Sequence, residues 1–172
     1  GGLVAANHLR RLLGREHRVT LVDRTSIHHF APSLPRLALG WRSTHSITME
    51  VPSLLRIGVE FVQGEVAAIE VAKRQVATNE AVIPFDYLVV ALGAQLAPEA
   101  MPGLVESSHG FYDIKYAQQL AKALPTFQSG AIAVVISSLP FKCPAAPYEG
   151  ALLLDYLFRK RGLRDDVSIN MY

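Results

Sequence analysis

The sequence predicts an α/β fold, and three observations carry that prediction. Short β-branched, apolar runs such as HRVTLVD (17–23), DYLVVALGA (86–94) and AIAVVI (131–136) have the composition of strands buried in a parallel sheet. Around them lie GGLVAANHLRRLLG (1–14), YDIKYAQQLAKALPTF (112–127) and ALLLDYLFRKRG (151–162), whose apolar residues recur at helical spacing. The resulting order of helix, strand, hairpin, strand, helix, strand, helix, strand suits helices layered on a largely parallel sheet.

Taken in order, the first helix opens on Gly1–Gly2 and ends near Gly14, a residue suited to terminating a helix. The strand at 17–23 closes on Asp23. A long loop follows, with a short helix near 34–39, and VPSLLRIG (51–58) predicts a further helical turn or two. VEFVQGEVAAIEV (59–71) reads as strand broken near Gly64, and QVATNEAVIPF (75–85) as a β-hairpin turning near Asn79. DYLVVALGA predicts a buried strand ending at Gly93, after which Pro98 and Pro102–Gly103 mark a loop. A composition break at 97–112 hands over to a second unit. That unit comprises a helix starting near Asp113, the strand AIAVVI, a helix from about Ala146 and the strand VSINM.

Bulk composition excludes several classes of function. Half of the 172 residues are hydrophobic and 19% are charged, so the chain can bury a core and is not disordered. A net charge of +2 argues against nucleic acid as a partner. The one basic cluster, RKRGLR (159–164), falls in the last turn of a helix, where cations complement the dipole. A single cysteine leaves no internal disulfide framework. No apolar run approaches the roughly 18 residues of a membrane span, and no signal peptide is visible. The chain opens without a methionine and stops within VSINMY, so both ends read as cut and the whole as an internal fragment.

Two places carry chemistry. In the first, Gly1 and Gly2 open a helix and Asp23 ends the next strand about 20 residues later, the separation found in a dinucleotide-binding unit. There a glycine lets helix and strand approach, and the acid accepts hydrogen bonds from ribose hydroxyls. Either feature alone is common at helix starts and strand ends. GEVAAIEV (64–71) adds Val66, placed for its backbone to meet an adenine edge, and VVALGA (89–94) adds the small residues Ala91 and Gly93 at a strand end.

The second place is SSLPFKCPAAPYEG (137–150), a strand-to-helix turn of the kind that often uses glycines to cradle a pyrophosphate. Its prolines lack N–H groups, and Gly150 comes too late to serve. Cys143 lies just before a helix start, whose partial positive charge, with Lys142 nearby, favours thiolate over thiol. A lone cysteine is otherwise a small buried hydrophobe. Glu149 in the first helical turn suits either the dipole or a proton-handling role. His28 and His29 form no ligand pattern for a metal and read as loop surface, and Trp41 as packing.

HRVTLVDR, FAPSLPRLALGWRS, GEVAAIE and FDYLVVALGA resemble successive motifs of two-dinucleotide-domain flavoproteins, above all sulfide:quinone oxidoreductases and flavocytochrome c sulfide dehydrogenases. The resemblance covers nearly the whole chain. It implies a Rossmann-like fold with an FAD-binding domain at 1–111, lacking its first strand, and an incomplete second nucleotide-binding-type domain at 112–172. It also implies FAD as cofactor. Gly2 would be the third glycine of the FAD fingerprint, with Gly1 beside it at the cofactor and the first two glycines absent; Asp23 would hold the adenosine ribose with Arg24 beside it, and Val66 would contact adenine. Ala91, Leu92 and Gly93 stand where the family has Ala-Thr-Gly, so Leu92 keeps only the backbone role. Cys143 followed by Tyr148–Glu149 is similar to the family's redox-active cysteine with its downstream Tyr-Glu. The implied chemistry is sulfide oxidation through Cys143, Glu149 and the flavin, with electrons passed to a quinone. The second redox cysteine and attachment to a membrane surface would come from later segments. A cytoplasmic or peripheral-membrane location and a homo-oligomer are compatible with this. Two alternatives stand beside it: a type II NADH:quinone dehydrogenase-like flavoprotein, and a non-catalytic nucleotide-binding module.

Overall fold

The computed structural model describes residues 1–172. In chain order the elements begin with α1 (Gly2–Leu12), β1 (Val19–Asp23), β2 (Ile27–His29), α2 (Leu34–Ala38), β3 (Thr48–Glu50), α3 (Val51–Leu54) and β4 (Val59–Gln63). They continue with β5 (Val66–Glu70), β6 (Gln75–Thr78), β7 (Val82–Pro84) and α4 (Leu104–Ser107). The last are α5 (Ile114–Ala123), β8 (Gly130–Val134), α6 (Ala146–Lys160) and β9 (Val167–Met171). By packing, the chain forms two units: Gly1–His29 with Thr48–Gln95, and Phe30–Ile47 with Leu96–Tyr172. The excursion 30–47 therefore belongs with the later residues rather than with its neighbours in sequence.

In the first unit, β1 and β4 pair in parallel, Val19 opposite Val59 through Asp23 opposite Gln63. Helix α1 is braced along its flank and at its tail. Asn7 donates Nδ2–H to the Leu54 carbonyl at 2.8 Å and accepts from the Arg56 N–H at 2.7 Å. The Arg10 guanidinium donates to the carbonyls of His17 at 2.7 Å and Leu13 at 2.8 Å. The hairpin expected at 75–85 is present as β6–β7, extended by β5 into a three-stranded antiparallel sheet with an irregularity between Val66 and Ala68.

Two differences from the sequence reading stand out in this unit. The run 86–94 forms no strand, and Tyr87, Val89, Val90 and Leu92 are exposed. Apolar, β-branched composition supplies only propensity, and a strand forms where another lies alongside to take its N–H and C=O groups. No strand of the chain is hydrogen-bonded to 86–94. Conversely, His28 and His29, expected in loop, lie in β2, paired antiparallel with Met49 and Thr48 of β3. Three-residue strands with this composition carry no period-2 signal long enough to read.

The second unit holds the main core. Leu34, Leu37, Ala38 and Leu39 around α2, Ala117 and Leu124 around α5, Val134 of β8, Leu154 and Phe158 of α6, and Val167 of β9 form one buried cluster. Phe158 has no exposed surface and meets the Phe127 ring edge-on at 5.8 Å. β8 and β9 run parallel, Gly130 opposite Val167 through Val134 opposite Met171, completing the β-α-β unit read from the sequence. Asp113 caps α5 as its position predicted, accepting from the Lys115 N–H at 2.7 Å.

Candidate functional site

In the first unit, three of the residues singled out by sequence come together. A methyl group placed on Gly1 would lie 3.1 Å from the Ala91 Cβ, and one on Gly2 would lie 3.3 Å from Leu21 Cδ1 and 3.8 Å from the Ala91 Cβ. The start of α1 thus lies against β1 and against residue 91 so closely that a side chain at either glycine would make its neighbours give way. The first turn of α1 carries no acidic residue and no side-chain cap, so its leading N–H groups remain free to meet an anion. Asp23 ends β1 at the carboxyl edge of the parallel pair, where ligands of open α/β sheets bind. Its Oδ1 accepts from the Thr25 N–H at 3.0 Å, and its carbonyl accepts from the Gly64 N–H at 2.9 Å. Arg24 follows, its carbonyl 3.4 Å from Gln63 Nε2. Val66 opens β5 opposite Thr78. Gly93 takes a left-handed φ of +73° with open space where a side chain would be, and Leu92 before it is exposed. This edge fits a dinucleotide: glycines where a Cβ would intrude, uncompensated N–H groups for a diphosphate, and an acid at the strand end.

In the second unit, Cys143 is a free, exposed thiol. Its backbone adopts φ +55°, a left-handed conformation uncommon outside glycine. The Cys143 carbonyl accepts from the Ala146 N–H at 2.9 Å, tying the loop to the first turn of α6. That turn holds Pro147 and the exposed Glu149, whose N–H donates to the Ala145 carbonyl at 2.9 Å. One helix start therefore offers unfilled donors, and the other lacks one donor and carries its own negative charge.

The sequence reading missed Tyr112. Its hydroxyl lies 3.5 Å from the Cys143 carbonyl oxygen and donates to it. Burial raises the Tyr112 phenol above its ordinary value, and the negative charge of the Cys143 thiolate adds to the rise. Tyr112 stacks on Phe111, with ring centroids 5.5 Å apart and planes 19° from parallel. Phe111 in turn sits over Gly150, where a methyl group would lie 2.7 Å from the ring's Cζ. Gly150, too late in the loop for a diphosphate, is the seat of an aromatic ring. The only available signal was GFYD (110–113) directly before a capped helix, and nothing in its spacing connects it with residue 143.

Residues 1–136 match the pyridine nucleotide-disulphide oxidoreductase family. The chain belongs to that family. Its members are FAD-binding flavoproteins, in keeping with the edge formed by Gly1, Gly2, Asp23 and Ala91. The chain is 32% identical to the sulfide-quinone reductase of Aquifex aeolicus over 172 residues, covering 98% of this chain and 40% of that protein. An X-ray structure of the sulfide:quinone oxidoreductase of the same bacterium superposes with a TM-score of 0.84 at 26% identity, over 99% of this chain and 40% of that one. A type II NADH:quinone oxidoreductase of Staphylococcus aureus is 28% identical over 123 residues, 70% of this chain and 31% of that protein. The chain thus spans about two fifths, or less, of the length of these relatives. The fold expected from the sequence, a Rossmann-like flavoprotein of this family, is the one found.

Proposed function

We propose that the chain is the FAD-binding portion, with the cysteine turn, of a sulfide:quinone oxidoreductase. One observation carries the reading: similarity to a sulfide-quinone reductase extends over 98% of the chain, including a turn in which prolines and Cys143 stand where a nicotinamide dinucleotide would need glycines and N–H groups. The domains read from the sequence, 1–111 for FAD binding and 112–172 as an incomplete second nucleotide-binding-type domain, belong to this proposal.

The start of α1 with Gly1 and Gly2 receives the FAD diphosphate, Asp23 accepts from the adenosine ribose with Arg24 beside it, and the Val66 backbone meets the adenine. Ala91, Leu92 and Gly93 approach the cofactor through their main chain. When bound, FAD supplies a two-electron acceptor, and the protein supplies position and electrostatics. Cys143 presents one sulfur of a disulfide whose other cysteine lies outside these residues; sulfide attacks that bond, which breaks to leave a persulfide on one sulfur and a thiolate on the other, and FAD, when bound, would accept the electron pair. The exposure of Cys143 gives the anion access. Glu149, in the first turn of the helix that follows, holds or releases a proton at its carboxylate. A quinone acceptor places the whole protein at a membrane surface, through parts outside these residues. No helix of the chain is long and apolar enough to cross a membrane.

A second reading, a type II NADH:quinone oxidoreductase, is favoured by the Staphylococcus relative. Colour separates the two. In the full-length protein, sulfide bleaches the flavin and NADH does not. Cys143→Ser keeps the yellow colour and loses sulfide-dependent quinone reduction by roughly a thousandfold or more, the scale of removing a covalent nucleophile. Undiminished turnover in that variant refutes the cysteine mechanism. Bleaching by NADH selects the second reading, and a colourless protein selects a nucleotide-binding module.

A further inference from the structure

We infer that Tyr112 is a positioning residue for Cys143, held in place by the aromatic seat that Gly150 provides. This rests on the proposed role of Cys143 and names a residue that role requires.

Left-handed backbone at a non-glycine residue has an energetic cost and persists only where its surroundings hold it. At Cys143 the restraint falls on one atom, the carbonyl oxygen. It accepts from the Ala146 N–H at 2.9 Å and from the Tyr112 hydroxyl at 3.5 Å. The first bond is local and moves with the loop. The second comes from a residue just ahead of α5 and ties the loop to the body of its unit. The Tyr112 contact is long in the free chain, as active-site hydrogen bonds often are before the substrate binds. Tyr112 reaches the carbonyl because its ring is stacked on Phe111, and Phe111 lies on α6 because residue 150 has no side chain. Gly150, Phe111 and Tyr112 thus form a strut from the first turns of α6 back to the carbonyl of residue 143. The strut sets the direction in which the thiol leaves the loop while leaving the sulfur itself uncovered. Its hydroxyl touches main chain and not substrate.

Tyr112→Phe removes the hydroxyl and keeps the ring stack, so a ring that merely packs is replaced without effect. The strut predicts instead that exchange of the Ala146 amide in the flavin-loaded, full-length protein accelerates roughly threefold, the effect of one weak neutral hydrogen bond. It also predicts that sulfide-dependent kcat falls by a similar factor with the KM for quinone unchanged. Gly150→Ala, which displaces Phe111, gives the same two changes without altering either residue of the contact. Cys143→Ser supplies a spectroscopic check. The Tyr112 phenol, followed by NMR of ring-labelled tyrosine, titrates at lower pH once the thiolate is gone. Ala146 exchange and kcat both unchanged in Tyr112→Phe overturn the inference. Full sulfide turnover in Cys143→Ser overturns the proposed function beneath it, and the exchange measurement still decides whether the hydroxyl holds the loop.

Discussion

The two units differ in what holds them together and in how they receive chemistry. The second has a contiguous core centred on Phe158, with residues from α2, α5, β8, α6 and β9 converging on it. The first has only a few dispersed buried apolar residues: Ala6, Val19, Val51 and Val76. The helix starts divide along the same line. α1 opens on glycines with no acid and no cap, whereas α6 opens with Pro147 and Glu149. An anion bound at an uncompensated helix start would add its binding free energy directly to the stability of the folded form.

The comparison breaks first at Phe158. Phe158→Ala leaves a cavity where the ring met Phe127 and Arg161, and it is expected to cost about 3–5 kcal/mol in denaturant unfolding of the second unit. No residue of the first unit is buried to the same degree with a side chain that large, so a loss of that size from any single truncation there would contradict the contrast. Next comes Gly1→Val. Its added carbons would strike Ala91 and push α1 from the sheet edge, a strain of about 1–3 kcal/mol. Flavin fluorescence titration should show affinity reduced by roughly tenfold. Unchanged affinity would remove the role given to the glycine opening.

The smallest effect concerns Asp155. Hydrogen bonds from Arg159 (2.7 Å) and Arg164 hold its carboxyl below the ordinary value. A depressed carboxylate contributes stability that is present above the unfolded-state value of about 4 and fades as pH falls through the folded one. Asp155→Asn should flatten the acid limb of the second unit's stability profile slightly and leave its neutral-to-alkaline limb parallel to the parent. Asp155 is half-buried and its partner Arg159 is exposed, so the change is small and shrinks with added salt.

How much of this was legible in the sequence depended on whether the signal was local. Asp113 announced its helix because a cap acts over two residues. β1, β4, β8 and β9 were readable because β-branched and apolar residues cluster in short runs there, a local signal of strand propensity. Residues 86–94 have the same composition and form no strand, since pairing depends on a neighbour that composition does not supply. The Gly1–Gly2 opening and Asp23 were legible through their spacing, and their contact with Ala91 was not. The cysteine turn was legible in its residues but not in its support. Tyr112 and Cys143 are 31 positions apart, and only folding reveals that one reaches the other's carbonyl. The assignment of 30–47 to the later unit was likewise invisible, because nothing in FAPSLPRLALGWRS states which core its leucines will join.

Asn7 carries a consequence of its own. Its side-chain amide donates a hydrogen bond to the carbonyl of Leu54 at the end of α3 and accepts one from the Arg56 N–H, which neither aspartate nor leucine can do. With the flank so pinned and the tail gripped by Arg10, the berth at the front of α1 stands ready-made. A diphosphate bound there is therefore expected to load in one step, its observed rate rising linearly with its concentration in stopped-flow mixing; a plateau would show that the wall has to assemble first.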